Sequence, residues 1–326
     1  MIDRPEITVV VPLHNEADVV ADVVGELGRV LGTLGTTWEI VLVDDGSTDG
    51  TGRRIHEIAE RDPRVVPMQL SRNFGKEGAL AAGLEAAAGD AVIVMDGDLQ
   101  HPPTLIPELL QRWRAGADVV NAIKRDRGRE TALYKLAARG FYFLLGGAMG
   151  QQMEAQSDFK LLDRQVVDQV RGFKEQHRFF RGLVAWVGFR VEDVPFEVQE
   201  RSGGRPSFTG LRLLRYAIRN LMSFSSVPLQ AIAWLGFITT GLAALLAVQT
   251  LYNWATGRAV SGFTTAIVVT LIMGGVNLVC LGIVAIYQSV MYDELKARPG
   301  FIVRNDRHSE DGRRVRSSRA ERQPDA

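Results

Sequence analysis

Two stretches in the last third of the chain carry no charge. No Asp, Glu, Lys or Arg lies between Arg219 and Arg258, and none between Arg258 and Asp293. Within them, residues 227–252 and 264–288 are apolar runs long enough to span a bilayer core, which takes about 20 residues. Trp234, Tyr252, Trp254 and Tyr287 fall near the ends of the runs, as interfacial aromatics do. Two such runs in tandem predict a pair of transmembrane helices rather than core helices of a soluble protein. Arg212, Arg215 and Arg219 precede the pair and Lys296, Arg298 and Arg304 follow it, whereas the connection holds only Arg258. That asymmetry predicts a multi-pass protein of the inner (plasma) membrane with both termini cytoplasmic and residues near Gly257 to Gly262 outside. Residues 211–226 alternate arginines with apolar residues and suit a helix lying in the membrane interface. Residues 289–326 read as a basic cytoplasmic tail, disordered after about residue 304.

The first 210 residues are of another kind. Short β-rich runs alternate with helical patterns: Ile7 to Leu13, Trp38 to Val43, Val65 to Leu70, Ala91 to Met95 and Asp118 to Ala122 read as strands. Helices are expected from Asn15-Glu16 onward, after a Ser47 or Thr48 cap, over Ala79 to Ala88, from near Thr104 and over Tyr134 to Leu145. Such alternation predicts an α/β domain with a mostly parallel sheet, whose ligands sit beyond the carboxyl ends of the strands. The 38 basic and 38 acidic residues cancel, so net charge singles out no partner, and no nucleic acid is expected. One cysteine, Cys280, leaves no disulfide framework or Cys-based zinc site. No basic-then-apolar leader opens the chain, so no cleaved signal peptide is expected.

The polar turns at strand ends carry the chemistry. The strand V-I-V-M runs into Asp96-Gly97-Asp98, with Gln100 two residues on and Pro102-Pro103 stopping the extended run. Two carboxylates one residue apart, with a neutral oxygen nearby, suit a hard cation, Mg²⁺ or Mn²⁺, which commonly also holds substrate phosphates. An isolated D-x-D is also a common surface turn. Here comparable turns, Pro12 to Glu16 and Asp44 to Asp49, follow two other strands. A purely structural sheet would not need acids at these ends.

Taken in order, P-L-H-N-E (12–16), V-D-D-G-S-T-D (43–49), S-R-N-F-G-K-E (71–77), D-G-D-L-Q-H-P-P (96–103), S-D-F-K-L-L-D-R (157–164) and R-G-L-V-A-W-V-G-F (181–189) resemble family 2 glycosyltransferases. With the two C-terminal spans, the set is similar to the polyprenyl-phosphate group, which contains bactoprenol glucosyltransferases and dolichol-phosphate mannose synthases. The resemblance runs from about residue 5 to residue 303. It implies a GT-A (nucleotide-diphospho-sugar transferase) fold and an inverting transfer from a nucleotide-sugar, UDP-glucose favoured, to polyprenyl (undecaprenyl) phosphate. A GDP-mannose-dependent mannosyltransferase is the alternative; a non-catalytic lipid carrier or scaffold would fit a lost D-x-D, and here it is intact. The Q-x-x-R-W signature of processive polysaccharide synthases is absent.

The resemblance also assigns residues. Pro12, Glu16, Asp44, Asp45, Arg72 and Asp96 would bind the donor nucleotide, and Asp96, Asp98 and Gln100 the divalent cation. Asp98 and Asp158 would be catalytic, Asp158 at the position of the proposed base. Lys124, Arg127, Arg201 and Arg205 would hold the acceptor phosphate. Pro206 and Ser207 stand where the group has Ser-Lys, so Arg205 is taken to substitute. The group's members often form tetramers, which makes a homotetramer one candidate assembly, and the sequence does not fix it.

Overall fold

A computed structural model describes residues 4–98, 100–124, 156–173, 175, 179–196, 227–257 and 262–304. Seven strands form one sheet: β1 (Ile7–Leu13), β2 (Trp38–Asp44), β3 (Val65–Gln69), β4 (Ala91–Val94), β5 (Val119–Lys124), β6 (Gln156–Asp163) and β7 (Val191–Phe196), in the order β3-β2-β1-β4-β6-β5-β7. β1, β2, β3 and β4 pair in parallel, and β5 pairs in parallel with β7. β6 runs against both neighbours. The sheet is therefore parallel except for one reversed strand, as the alternation of elements predicts.

Both faces are covered, which explains why the strands read as unbroken apolar runs rather than alternating ones. Val9 and Val11 of β1 point into one core with Leu27 and Leu31, while Val10 points into the other with Leu80 and Leu84. The first core lies under α1 (Val20–Gly32), α2 (Thr51–Arg61) and α4 (Ile106–Arg114); the second lies under α3 (Lys76–Ala86), α5 (Arg164–Gly172) and α6 (Phe180–Trp186).

Several boundaries differ from the sequence reading. α1 starts at Val20, not at Asn15-Glu16, because Asn15 is left-handed (φ 55°). α2 begins at Thr51 after Gly50, and its capping carboxylate is Asp49 rather than Ser47 or Thr48. α3 starts three residues early, which places Lys76 and Glu77 in its first turn. A short 3₁₀ turn, Pro103–Leu105, precedes α4. The expected helices at 134–145 and 211–226 lie outside the described residues.

α7 (Val227–Ala255) and α8 (Phe263–Leu295) contain two stretches, Leu229–Asn253 and Ile272–Leu295, long and apolar enough to cross a membrane. Neither is buried inside the molecule. α8 runs seven residues into what the sequence suggested as tail. Beyond it, the chain returns to the sheet: Ser71 donates its N–H to Ile302 O (2.8 Å) and Arg304 to Gln69 O (2.8 Å) beside β3.

Candidate active site

The carboxyl ends of β1, β2 and β4 meet where the strand order turns back on itself, the usual place for a ligand in an open α/β sheet. Three loops interlock there. Asn15 donates its N–H to Ser47 Oγ and its side-chain oxygen accepts Thr48 N–H, while Glu16 N–H meets Thr51 Oγ1. His14 Nδ1 lies 2.9 Å from Asp45 O, and its Nε2 faces the side chains of Asn15 and Asn73. Pro12 sits inside β1. Residues 8, 10 and 12 face β4, and Val10 accepts the last bond, from Met95 N–H. β4 has ended beside Pro12, so its missing N–H costs nothing.

Asp44 and Asp45 are buried and occupied. Asp44 accepts Ser47 N–H (2.9 Å) and Gln69 Nε2 (3.0 Å). Asp45 accepts Phe74 N–H (2.7 Å) and Gly75 N–H (2.9 Å), so it holds the loop carrying Arg72. Arg72 itself is exposed, and its guanidinium covers the Phe74 ring at 4.1 Å. Gly46 (φ 63°) faces that loop so closely that a side chain would strike the Arg72–Asn73 backbone.

The reversed strand brings the second half of the site to the same place. Val94 of β4 pairs with Lys160 of β6. Two residues further along each antiparallel chain, Asp96 comes abreast of Asp158. Lys76 bridges them, with Nζ 2.5 Å from Asp96 Oδ1 and 2.6 Å from Asp158 Oδ2. Arg181 Nε lies 2.5 Å from Asp158 Oδ1. Burial alone would raise the pKa of Asp158, but the Arg181 hydrogen bond and the charges of Lys76 and Arg181 outweigh it and hold the carboxyl well below the usual range. The same two aspartates keep Lys76 charged against the opposing effect of its burial.

Lys76 and Arg181 lie within the sequence motifs, but the resemblance assigned neither a role. It also passed over Lys160, a buried lysine whose Nζ donates to Asn121 Oδ1 at 2.9 Å. Burial, reinforced by the Arg181 charge, lowers its pKa to about 7. A lysine in the apolar strand F-K-L-L was the available signal.

Opposite Lys76 the field is negative. Glu16 Oε2 is buried without a hydrogen-bond partner among the described residues. Burial first, then the charges of Asp98, Asp96 and Asp49, push the Glu16 carboxyl up to about 7. Gly97 makes room for this packing, since a Cβ there would meet Leu13 and, at 2.9 Å, Glu16 Oε2. Asp98 is exposed and accepts Gln100 N–H (3.1 Å). Among the described residues, no three His, Cys, Asp or Glu side chains already stand as a metal set. An unpartnered buried carboxylate oxygen beside two aspartates is nonetheless what a cation would relieve, and the donor set is all oxygen, so the residues fit Mg²⁺ or Mn²⁺. Of the acceptor bases, Lys124 is the last residue of β5. Arg127, Arg201 and Arg205 lie outside the described residues.

Residues 8–171 match the profile of glycosyl transferase family 2. The chain is 38% identical over 300 residues to an uncharacterized glycosyltransferase of Synechocystis sp., covering 91% of this chain and 94% of that one. It is 35% identical over 304 residues to the bactoprenol glucosyl transferase of Shigella phage SfV (93% and 99% covered). It is 34% identical over 301 residues to the prophage bactoprenol glucosyl transferase homolog of Escherichia coli K12 (92% and 98%). Among solved structures it resembles glucosyl-3-phosphoglycerate synthase from Mycobacterium tuberculosis in complex with Mn²⁺, UDP-glucose and phosphoglyceric acid. That likeness is 25% in sequence, with TM-score 0.47, over 67% of this chain and 79% of that one.

Proposed function

Because the chain belongs to glycosyl transferase family 2, with a GT-A-type α/β domain followed by two long apolar helices, we propose that it transfers a hexose from a nucleotide-sugar to polyprenyl phosphate. UDP-glucose is the favoured donor and undecaprenyl phosphate the favoured acceptor. The reaction takes place at the cytoplasmic face of the membrane that the helices cross. The observation that carries this reading is the convergence of Asp96 and Asp158 around Lys76 at the sheet's switch point. Relatives named bactoprenol glucosyl transferase over more than nine-tenths of the chain support the lipid acceptor.

The donor diphosphate sits beyond β1, β2 and β4, with Pro12, Glu16, Asp44, Asp45 and Arg72 lining the nucleoside side. Asp44 and Asp45 spend lone pairs on the loops and offer the remaining ones to base or ribose donors. Asp96, Asp98 and Gln100 hold the divalent cation. When bound, that ion offsets the charge of the departing nucleotide. Without it, each carboxylate–phosphate pair at about 4 Å would repel by roughly 4 kcal/mol in an effective dielectric near 20.

Lys124, Arg127, Arg201 and Arg205 receive the acceptor phosphate. A phosphate monoester has a second pKa near 6 and is mostly ionised at pH 7, so it needs little help from a base. Asp158, ion-paired to two cations, is a weak base in any case. Its role is to orient the acceptor side and to stabilise positive charge developing on the sugar. One in-line displacement inverts the anomeric centre without an enzyme nucleophile.

The test is a donor screen with purified full-length protein, Mn²⁺, a short polyprenyl phosphate and a panel of UDP- and GDP-sugars. Transfer from UDP-glucose to the lipid is expected. Transfer from GDP-mannose alone would move the assignment to the mannosyl branch. No transfer from any donor would overturn it.

A further inference from the structure

Lys76 and Glu77 are neighbours in the first turn of α3, but their side chains go to different targets. Lys76 reaches Asp96 and Asp158. Glu77 accepts the backbone N–H of Phe180 at 2.8 Å. Phe180 is the first residue of α6, a seven-residue helix. Phe179, at its N-cap, has no side-chain acceptor to offer. A helix start leaves N–H groups without intrahelical partners, and an acid is a common remedy. Here the acid comes from a different helix. The residue after Phe180 is Arg181, which donates to Asp158. The contacts close a circuit: Glu77 to Phe180, Arg181 to Asp158, and Asp158 back to Lys76, the residue before Glu77.

We propose that Glu77 is a positioning residue of the transfer reaction, capping α6 from across the site and so fixing Arg181 against Asp158. The proposal rests on the functional reading above, in which Asp158 serves the acceptor side. A helix of two turns has little stability of its own, so its start depends on such outside contacts. Apolar residues dock α6 independently, since Phe180, Leu183 and Val184 are buried. Losing the cap therefore loosens the start of the helix and the aim of Arg181 without unfolding the domain. The donor side meets this circuit only at Lys76, through Asp96, and shares no atom of the Glu77, Phe180 and Arg181 contacts.

The cap responds to pH. The charged groups facing Glu77 are Asp158 on β6, Lys76 on α3 and Arg181 on α6. Burial, the largest influence, pushes the Glu77 carboxyl up to about 7. The Phe180 N–H opposes it, Asp158 adds to it, and Lys76 and Arg181 oppose it. The ionised carboxylate is the stronger acceptor, so the cap is tight above about pH 7 and loosens below it.

The experiment compares full-length Glu77→Ala, Glu77→Gln, Arg181→Ala and the Glu77→Ala/Arg181→Ala double variant for turnover, for UDP affinity with Mn²⁺ by calorimetry, and for hydrogen exchange over residues 180–184. Glu77→Ala should lower kcat about tenfold, the scale of one hydrogen bond to a charged group, and leave UDP affinity within about twofold. Glu77→Gln keeps an oxygen able to accept the same N–H and should recover most of the loss. Its turnover relative to wild type should rise as pH falls from about 8 to about 6, because the amide does not titrate. The double variant should be no slower than the slower single one, since both changes break one circuit. Multiplying losses, unchanged kcat in Glu77→Ala, or a fall in UDP affinity matching the fall in kcat would overturn the proposal. Exchange at 180–184 should quicken in Glu77→Ala, and unchanged exchange would refute the cap without any substrate. A wild-type protein that transfers no sugar would sink the functional reading, and the reaction role of Glu77 with it, while exchange still decides the cap.

Discussion

The two sides of the site are held together by different kinds of bond. On the β1–β2 side, Asp44, Asp45 and Asp49 accept backbone amides from Ser47, Phe74, Gly75, Ala17 and Thr51. On the β4–β6 side, Asp96 and Asp158 accept side-chain cations, Lys76 and Arg181. A backbone amide cannot leave its partner unless a loop refolds, whereas a lysine can rotate away. The wall proposed for the nucleoside is thus built before any ligand arrives. The β4–β6 side is a set of ion pairs for which an incoming phosphate can compete. Substitutions on the first side should cost stability, and substitutions on the second should cost turnover while the fold stays intact.

The largest expected effect is at Asp98. Asp98→Asn, or EDTA on the wild type, should lower turnover by about 10³-fold or more, as loss of metal-assisted charge stabilisation does. Asp98 is exposed, so the thermal midpoint should not move. Equal UDP affinity and full turnover in EDTA would reduce Asp96-Gly97-Asp98 to a turn. Next comes Asp158→Asn, expected to lower kcat about ten- to hundredfold with donor affinity kept. Because two cations hold Asp158 ionised at every working pH, raising the pH should not restore the variant. Recovery at high pH would make Asp158 a true base and end the contrast with the other side.

Gly46→Ala tests the first side. The new methyl would strike the Arg72–Asn73 backbone at a left-handed position, so a stability loss of about 1–3 kcal/mol is expected in denaturant unfolding. UDP affinity should fall with it. A stable Gly46→Ala protein with normal UDP binding would show that this wall is adjustable after all.

How much of this was legible in the sequence followed the range of the contacts. Asp96-Gly97-Asp98 and Asp44-Asp45 stand out because each follows its own strand directly. Asp158 stood out only through the motif S-D-F-K-L-L-D-R, and its position beside Asp96 depends on β6 running backwards, a pairing of residues more than 60 apart that no local pattern encodes. Lys76 and Glu77 read as loop because Gly75 precedes them, yet its φ of 86° is what turns the chain into α3. Arg181 needed the cap from Glu77, another distant contact. The tail was set to begin at residue 289 because Tyr287 marks the end of the apolar run, while the helix itself continues to Leu295.

The smallest effect is expected where the membrane half touches the fixed side. After α8, Phe301, like Phe74, packs against the second core, and Arg304 donates its N–H to Gln69 O next to the Leu70–Val303 bridge. Ser71, whose N–H meets Ile302 O, begins the loop that Asp45 holds from inside. If Asp45 is sufficient, the outer contact is dispensable for the donor. Arg304→Pro removes one N–H donor at a partly exposed edge and should cost about 0.5–1.5 kcal/mol, the net value of one hydrogen bond. UDP affinity should stay within about twofold. A drop of tenfold or more would mean that the loop is braced from the membrane side, and that the nucleoside wall is built by the whole chain rather than by its first half.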